Sequence, residues 1–587
     1  MKPIRHTKTT MLMALLTAFP AVQGMAQSRL IRQGTATQLS VDGNKTLILG
    51  GELSNSAATC TADIDEVMPG MKAIGLNCVL VPAQWDLIEP VENKFDFTTI
   101  DRVITKAREN KLKVVFLWFG AWKNSMSCYA PLWFKKDTKR FPRAMTRKGR
   151  QLEIASAFSD NVLEADRHAF VKLMEHIKAT DTDNTVVMMQ VENEVGMLED
   201  ARDHSPAANR EYEKAVPESL RTYLLKNKKT LHPHILQKLT GNKEWTSASA
   251  KLIDNKLKKS VTWVEAFGTD LFGDEIFMAY YYARYIEQIT RAGRAVKDMP
   301  MYVNAALNSR GRKPGQYPAA GPLAHLIDVW KAAAPSIDML SPDIYDTGFK
   351  SWAKQYKSPE NPLFIPESRC CVNSGARALY TFGEYDAIGF CPFAIDQTGK
   401  DERRNISQAY NIINKMQPLL LKYQGSGRTH GVLFDGEDKT EVISDGNLRL
   451  TCSHFFTLPW DSRATDGSVW NEGGAIIMKL AENDYLIAGT GVVVTFQTAT
   501  EKAQEEKSTL GEDGFAADGN SKNAMSAHSS QFKGKRIGLG YVDQVDINPD
   551  GSLRYIRRDN GDQSHQGRHA RISVGDYKIL HVRLYEY

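Results

Sequence analysis

The sequence predicts an α/β fold in which a TIM (β/α)8 barrel is followed by a smaller C-terminal antiparallel β-sandwich domain. From about residue 45 to residue 424, short apolar runs alternate eight times with amphipathic helical segments, which is the signature of repeated βα units. Beyond residue 427 the pattern changes to short strands separated by turns, which is typical of a sandwich. The chain has 587 residues, 42% hydrophobic and 24% charged, a globular composition with room for two or three domains.

Each predicted barrel strand is a short apolar run that ends in polar residues, as expected for strands buried in a parallel sheet. The eight predicted strands span residues 47–51, 78–81, 113–118, 186–189, 301–303, 337–340, 363–365 and 388–393. Helices between and after them are predicted at 64–74, 100–110, 164–178, 274–296, 323–334 and 406–423.

Residues 197–265 are polar, rich in Lys and interrupted by Pro, so they predict an insertion at the strand-end face of a barrel domain that spans 27–427. The sandwich domain is predicted to span 428–587. Its strands are predicted at 429–434, 441–444, 448–452, 474–479, 485–490 and 491–498. The long polar, Gly- and Ser-rich stretch at 501–535 predicts a flexible or weakly ordered loop.

The N-terminus has the pattern of a cleaved secretory signal peptide, residues 1–26. Basic residues precede an apolar run at 11–22, and the small residues Gly24 and Ala26, at −3 and −1, suit cleavage after Ala26. Twelve apolar residues are too few to span a bilayer, and no later stretch approaches eighteen. We therefore expect a periplasmic or secreted protein without a membrane span.

Charge and cysteine content exclude several classes of protein. The net charge of +5, from 74 basic and 69 acidic residues, gives no reason to expect a nucleic-acid partner. The seven cysteines contain no C-x-x-C pair, which argues against a zinc site and a disulfide framework. The pairing state of Cys370 and Cys371 stays open.

Two glutamates at strand ends are the candidate catalytic pair. Glu194 follows the fourth predicted strand and Glu367 follows the seventh. The carboxyl ends of parallel strands are where barrel folds place their sites, and glycoside hydrolysis needs two carboxyl groups that face one anomeric centre. The alternative for either residue is an acidic loop that merely follows a strand.

Several neighbours of the pair are candidate substrate-binding residues. Indole faces can stack on sugar rings, amides can hold hydroxyl groups, and Tyr345 at the end of strand six is placed to donate to Glu367 and keep it ionised. For the tryptophans and Tyr345, packing in the core is an equally open reading. The candidates are Trp85, Trp118, Trp122, Asn124, Glu192, Asn193, Asn304 and Tyr345.

The segment at 190–196, which contains Glu192, Asn193 and Glu194, resembles the acid/base motif of glycoside hydrolase family 35, the β-galactosidases. The segments at 85–90 and 50–53 look like that family's second-strand loop and first strand. The resemblance covers about 45–424, and the tail after 428 is similar to the β-sandwich of one bacterial branch whose members act on plant polysaccharide side chains. It implies a retaining exo-β-galactosidase with Glu194 as acid/base and Glu367 as nucleophile.

The third-strand loop departs from that family, because the segment at 119–124 stands in place of the usual Cys-Ala-Glu-Trp, which reads the sugar. Another retaining exo-β-glycosidase, acting on a β-glucoside or an α-L-arabinoside, is therefore a second reading, and a non-catalytic carbohydrate-binding protein is a third. In every case we expect a carbohydrate partner, no cofactor and no metal, and a homo-oligomer is possible. Neither a P-loop nor a G-x-G-x-x-G segment that opens a helix is present.

Overall fold

The computed structural model describes residues 27–436, 438–505 and 534–587. The predicted signal peptide at 1–26 and residues 506–533 of the predicted loop lie outside these ranges. Within the described part, no helix combines the length and the apolar character that crossing a membrane requires.

A small antiparallel sheet that the sequence did not predict precedes the barrel and covers its amino-terminal end. Leu39 and Val41 pack into the barrel interior, and the Ser28 hydroxyl donates a hydrogen bond of 2.7 Å to the Val187 carbonyl. The apolar floor of the barrel is thus protected from water. The strands are β1 (Ser28–Gln33), β2 (Ala36–Val41) and β3 (Asn44–Thr46).

The predicted eight parallel strands are present and form a nearly closed barrel. The seventh strand is split at Pro366, which has no N–H to donate to a sheet. Its first half pairs with the eighth strand and its second half with the sixth, so the two halves bring the ends of the sheet together. The barrel strands are β4 (Ile48–Glu52), β5 (Cys78–Gln84), β6 (Lys113–Lys123), β9 (Val186–Asn193), β10 (Met301–Ala306), β11 (Met339–Ile344), β12 (Phe364–Ile365), β13 (Glu367–Ser368) and β14 (Gly389–Phe390); a hairpin, β7 (Arg143–Met145) and β8 (Gln151–Ala155), follows β6.

Helices surround the barrel and bury one face against its strands. The predicted helices are all present, and Ser159 and Asp270 cap two of them by accepting a backbone N–H. The barrel helices are α1 (Thr61–Ile74), α2 (Trp85–Ile88), α3 (Thr98–Glu109), α4 (Leu132–Lys136), α5 (Asp160–Thr180), α11 (Leu271–Val296), α12 (Ile327–Ala333), α13 (Phe349–Tyr356), α14 (Ser374–Tyr385) and α15 (Lys400–Tyr423). The predicted insertion folds into α6 (Pro206–Tyr212), α7 (Glu218–Lys226), α8 (Pro233–Thr240), α9 (Ser247–Leu257) and α10 (Trp263–Phe267).

Alternation along the strands divides the barrel core into two layers. In β6, Val115 and Leu117 face the barrel interior, whereas Phe116 and Trp118 face the surrounding helices. The register of β6 is irregular between Trp118 and Lys123, and beyond this point the side chain of Lys123 lies at the mouth of the barrel beside Glu194.

The C-terminal domain is an antiparallel sandwich of two sheets. Its six-stranded sheet has the order β15-β18-β19-β24-β21-β22 and its four-stranded sheet the order β16-β17-β20-β23. The six predicted strands are present within two residues of the predicted ends. The elements are β15 (Thr429–Phe434), β16 (Thr440–Asp445), β17 (Leu448–His454), β18 (Gly473–Ala481), β19 (Asp484–Thr490), β20 (Val492–Thr498), α16 (Ala499–Glu505), β21 (Ile537–Ile547), β22 (Leu553–Arg558), β23 (Ala570–Ile572) and β24 (Lys578–Glu586).

The sandwich packs against the barrel next to the segment that follows Glu367. Arg377 in α14 pairs with Asp435 at 2.7 Å, and Asn373 donates to Asp435 at 2.9 Å. Apolar residues of the six-stranded sheet, including Ile476 and Val545, belong to the same core cluster as the barrel helices. The sandwich therefore supports one flank of the barrel mouth.

Candidate active site

Two buried glutamates from different strands meet at the carboxyl end of the barrel. Glu194 directly follows β9 and Glu367 opens β13, and the residues are 5% and 4% exposed. A carboxylate oxygen of each lies within 4.8 Å of the other, and Asp343 in β11 places a third oxygen within the same distance. The two glutamates converge as expected from their strand ends, and their catalytic roles stay predictions.

Asn304, near the end of β10, holds Glu194 in place. Its side-chain oxygen accepts a hydrogen bond from the Glu194 N–H at 3.0 Å, and its amide nitrogen donates to Asp343 at 2.7 Å. Glu194 has a φ of 44°, a left-handed conformation that non-glycine residues keep only where the surroundings hold them. These contacts give Asn304 a positioning role, and its substrate-binding role stays a prediction.

Tyr345 and Glu367 form the contact that the sequence predicted. The Tyr345 hydroxyl donates a hydrogen bond to Glu367 Oε1, while Glu367 Oε2 has no partner among the described residues. Burial, followed by the charge of Glu194, raises the pKa of Glu367 to about 7, and Lys123 and the Tyr345 hydrogen bond act in the opposite direction. The charge of Glu194 disfavours the ionised form of Glu367, because two carboxylates this close repel each other.

Three charged residues that were not among the predicted site residues complete the site. Glu52 ends β4, Lys123 ends β6 and Asp343 lies in β11. Lys123 Nζ is 3.8 Å from Glu194 Oε2, in an ion pair whose side chains are both 6% exposed. Glu52 directly follows a predicted strand, so the rule that selected Glu194 and Glu367 points to it, whereas Lys123 and Asp343 lie beyond the predicted ends of their strands.

These buried groups set one another's protonation. Burial, followed by the charge of Glu367, raises the pKa of both Glu52 and Asp343 well above their ordinary values. Burial alone lowers the pKa of Lys123, but Glu367, Glu194, Glu52 and Asp343 outweigh it and raise that pKa above the ordinary value. The site thus has one firmly charged ammonium among carboxyl groups that resist full ionisation.

The three tryptophans do not line the mouth. Trp85, Trp118 and Trp122 are each 0% exposed and belong to the core layer between strands and helices. Their indole nitrogens donate to Glu89, Asp166 and the Ala155 carbonyl, respectively. The prediction that they stack on sugar rings is wrong, because their side chains point away from the barrel interior.

Glu192 is also a structural residue and not a sugar ligand. Its carboxylate accepts hydrogen bonds from the backbone N–H groups of Ala121 at 3.1 Å and Trp122 at 2.8 Å. Burial, followed by the charge of Asp166, raises the pKa of Glu192 well above its ordinary value. A φ of 62° turns Glu192 away from the strand alternation and toward α5. Gly120 leaves room for this contact, since a Cβ there would come within 2.5 Å of Glu192 Oε1.

Replacement of Glu192 by Ala is expected to lower the free energy of unfolding by about 2–4 kcal/mol, because it leaves two buried backbone N–H groups without an acceptor. Urea denaturation followed by tryptophan fluorescence measures the change. Glu192→Gln is the matched variant, since it keeps one acceptor oxygen and should lose less. Equal stability of Glu192→Ala and the wild type would contradict this structural role.

The two remaining amide candidates differ in their surroundings. Asn193 is 0% exposed and neither atom of its amide has a partner among the described residues, so it has unused capacity for a sugar hydroxyl. Asn124 is exposed, in a tight turn after β6, with a φ of 48°. Within the described residues no hydrogen bond joins the Asn124 side chain to either glutamate, although the neighbouring Ser125 N–H donates to the Glu194 carbonyl at 3.2 Å, and the binding role of Asn124 stays a prediction.

The carboxylates of Glu194, Asp343 and Glu367 form a group that can hold a metal ion, judged by their spacing alone. The Lys123 ammonium lies 3.8 Å from Glu194 and already supplies positive charge at this point. The three carboxylates therefore already have a positively charged side chain beside them. Cys370 and Cys371, on the segment after Glu367, are free thiols and half-buried.

A (β/α)8 barrel with a close pair of buried carboxyl groups at its strand ends has the arrangement used by retaining glycoside hydrolases. Within the chain, residues 58–248 match the family model Glyco_hydro_42, described as "Beta-galactosidase". Residues 406–571 match the model of a domain of unknown function, DUF5597. The resemblance to β-galactosidases is thus confirmed for this segment, but the matching family model is that of family 42 and not of family 35.

Solved structures that resemble this chain include three β-galactosidases. That of the psychrophilic Marinomonas ef1 is 14% identical, with 63% of this chain and 60% of that chain covered and a TM-score of 0.43. That of the haloarchaeon Halorubrum lacusprofundi is 15% identical, with 62% and 58% covered and a TM-score of 0.41. A catalytic mutant of a family 42 enzyme from G. stearothermophilus is 14% identical, with 64% and 57% covered and a TM-score of 0.44.

This chain therefore spans less than two thirds of the length of these enzymes. No curated protein matches the sequence.

Proposed function

We propose that this protein is a retaining exo-acting β-galactosidase that removes terminal β-galactosyl residues from oligo- or polysaccharides by double displacement. The observation that carries the proposal is the pair of carboxylate oxygens of Glu194 and Glu367, which lie within 4.8 Å of each other. Retaining enzymes place their carboxyl groups about 5–5.5 Å apart, whereas inverting enzymes need about 6.5–9.5 Å to admit a water molecule. The match of residues 58–248 to a β-galactosidase family supports the choice of sugar.

In the first step, Glu367 attacks the anomeric carbon while Glu194 gives its proton to the glycosidic oxygen. The bond to the leaving group breaks, and a covalent glycosyl ester of Glu367 forms. In the second step, the Glu194 carboxylate takes a proton from water, and the water oxygen attacks the anomeric carbon and releases Glu367. Glu367 Oε2 is the attacking oxygen in this scheme, because it has no partner among the described residues, whereas Oε1 accepts from Tyr345.

Tyr345 supports this reaction by stabilising the ionised form of Glu367. Its hydrogen bond opposes burial and the charge of Glu194, which together raise the pKa of Glu367 to about 7. Burial, followed by the charge of Glu367, raises the pKa of Tyr345 itself, so the phenol keeps its proton and acts as a donor.

Tyr345→Phe is expected to move the acid limb of the kcat/KM profile to higher pH. The hydrogen bond lowers the pKa of Glu367, so its removal raises that pKa, and the nucleophile is then protonated at pH values where the wild type has it ionised. Removal of a charge-assisted hydrogen bond should lower kcat/KM about 10- to 100-fold on the acid side of the profile. The profile is measured with an aryl β-galactoside between pH 4 and 9.

Tyr485→Phe is the matched control for this experiment, because the Tyr485 hydroxyl donates to the Asp445 carboxylate in the sandwich. Tyr485→Phe should leave the profile unchanged. An acid limb that stays in place in Tyr345→Phe would show that this hydrogen bond does not set the ionisation of Glu367.

The direct test of the function uses a panel of nitrophenyl glycosides with β-galactosyl, β-glucosyl and α-L-arabinopyranosyl groups. The β-galactoside should give the highest kcat/KM, and proton NMR should show the β-anomer of the sugar as the first product. The α-anomer as first product would overturn the retaining mechanism. A preference for glucoside or arabinoside would keep the mechanism and change the substrate, and no turnover of any glycoside would leave a carbohydrate-binding protein.

The pattern at residues 1–26 supports export as part of this proposal, because a polysaccharide substrate is outside the cytoplasm. Fractionation of cells that express the full chain, with N-terminal sequencing of the product, tests cleavage after Ala26. A product that keeps residues 1–26 and stays in the cytoplasm would overturn it.

A further inference from the structure

Lys123 has hydrogen-bonding capacity that the protein does not use. The residue is 5% exposed, and its closest ionic contact is Glu194 Oε2 at 3.8 Å, beyond hydrogen-bond distance. Its stem lies near the Phe119 ring, with Nζ 5.0 Å from the ring centroid. An ammonium group has three N–H donors, and within the described residues no acceptor lies within hydrogen-bond distance of any of them.

Glu52 has the complementary property. It is 0% exposed, and both oxygens of its carboxyl group lack a hydrogen-bond partner among the described residues. Buried polar atoms that stay unpaired cost free energy, so they are kept where a ligand or water satisfies them. Glu52 lies near enough to Glu367, Glu194 and Lys123 for their charges to affect it.

Lys123 lies beside Glu194, and Glu52 lies close enough to both glutamates for their charges to raise its pKa. They come from β6 and β4, which are separated in the barrel by β5. The other charged groups around them are Glu194, Asp343 and Glu367. An ion pair between Lys123 and Glu194 alone accounts for neither the unpaired oxygens of Glu52 nor the unused donors of Lys123.

We propose that Lys123 and Glu52 form hydrogen bonds with hydroxyl groups of the sugar bound at Glu194 and Glu367. Lys123 donates to one ring hydroxyl oxygen, and Glu52 binds a second hydroxyl, so that each residue gains the partner it lacks in the protein. This assignment rests on the proposed glycosidase function and names the residues that determine its sugar specificity.

The test is a cross between protein variants and monodeoxy substrates. The wild type is assayed with a nitrophenyl β-galactoside and with each of its monodeoxy analogues. Loss of a hydroxyl that is read by a buried charged group should lower kcat/KM by about 10- to 100-fold. The penalty for a missing hydroxyl is the factor by which kcat/KM falls for the corresponding deoxy substrate. Lys123→Met should remove this penalty for one hydroxyl and Glu52→Ala for another, while the penalties for the remaining hydroxyls persist.

The conservative variants separate direct reading from a merely structural effect. Lys123→Arg and Glu52→Gln keep hydrogen-bonding atoms and should regain part of the discrimination that Lys123→Met and Glu52→Ala lose. Lys331→Met is the matched control, because Lys331, in α12, donates to the Glu360 carbonyl and has no contact with the glutamate pair within the described residues. It should leave the pattern of penalties unchanged.

The outcomes are distinct. If the wild type turns over no glycoside, the proposed function fails and this inference fails with it. If the wild type is active but tolerates every deoxy analogue within 3-fold, or if folded Lys123→Met and Glu52→Ala keep the wild-type penalties, the inference alone is overturned. Should either variant fail to fold, the wild-type series and the conservative variant still decide the matter.

Discussion

Glu367→Gln is expected to abolish turnover, with kcat for aryl β-galactosides lowered by on the order of 10⁵-fold, as when other covalent nucleophiles are removed. Glutamine has nearly the same shape and keeps an acceptor for the Tyr345 hydroxyl, so the loss should come from chemistry and not from folding. Thermal unfolding within a few degrees of the wild type would show this. Steady-state and burst kinetics with a dinitrophenyl galactoside measure the loss.

A rescue experiment identifies the role of Glu367 more sharply than the loss of activity. Glu367→Gly leaves space at the face of the anomeric carbon where Oε2 attacks in the proposed scheme. Azide should enter there, restore part of the activity and give the α-galactosyl azide. Glu89→Gln is the control, because Glu89 is a buried carboxylate that binds the Trp85 indole and the Asn93 N–H, and it should keep normal kinetics. Full activity in Glu367→Gln would mean that another residue is the nucleophile.

Glu194→Gln is expected to lower kcat/KM by about 10²–10⁴-fold for substrates with poor leaving groups, because general acid catalysis contributes about this much. A dinitrophenol leaving group departs without a proton. The rate of the first step should therefore fall far less for a dinitrophenyl galactoside than for substrates with poor leaving groups. Its hydrolysis should then be limited by the second step, in which Glu194 acts as base. A series of aryl galactosides that covers a range of leaving-group pKa values measures the difference.

Azide separates the roles of the two glutamates. In Glu194→Gly, azide attacks the covalent intermediate and should give the β-galactosyl azide, the opposite anomer from Glu367→Gly. Both variants lose a carboxylate of the same pair, so each serves as the matched control of the other. An equal loss for good and poor leaving groups in Glu194→Gln would contradict the acid role.

Local sequence signals were enough to predict most of the fold. The eight barrel strands, the helices that alternate with them and the first six sandwich strands follow from apolar periods and turn residues. The N-terminal sheet at 28–46 was missed. Its strands have no helix between them, and its apolar residues, such as Leu39 and Val41, are buried only because the barrel floor lies against them.

The site was predicted in part, and the errors have a common cause. Glu194 and Glu367 were found because both stand directly at strand ends. Trp118 and Trp122 stand in and near the end of a strand as well, but their side chains pack in the core layer next to the helices, while Lys123 faces the mouth. Glu192 was misassigned because its positive φ breaks the strand alternation, which a residue pattern does not show.

Taken by itself, the amino-acid sequence determined which segments become strands and helices, and which strand ends carry carboxyl groups, because periodicity and turn chemistry act between neighbours in the chain. Only the tertiary structure decided that Glu52, Lys123 and Asp343 join Glu194 and Glu367 in one buried cluster. Closure of the sheet brings together residues hundreds of positions apart, and their mutual charges, burial and hydrogen bonds exist only in that closed geometry.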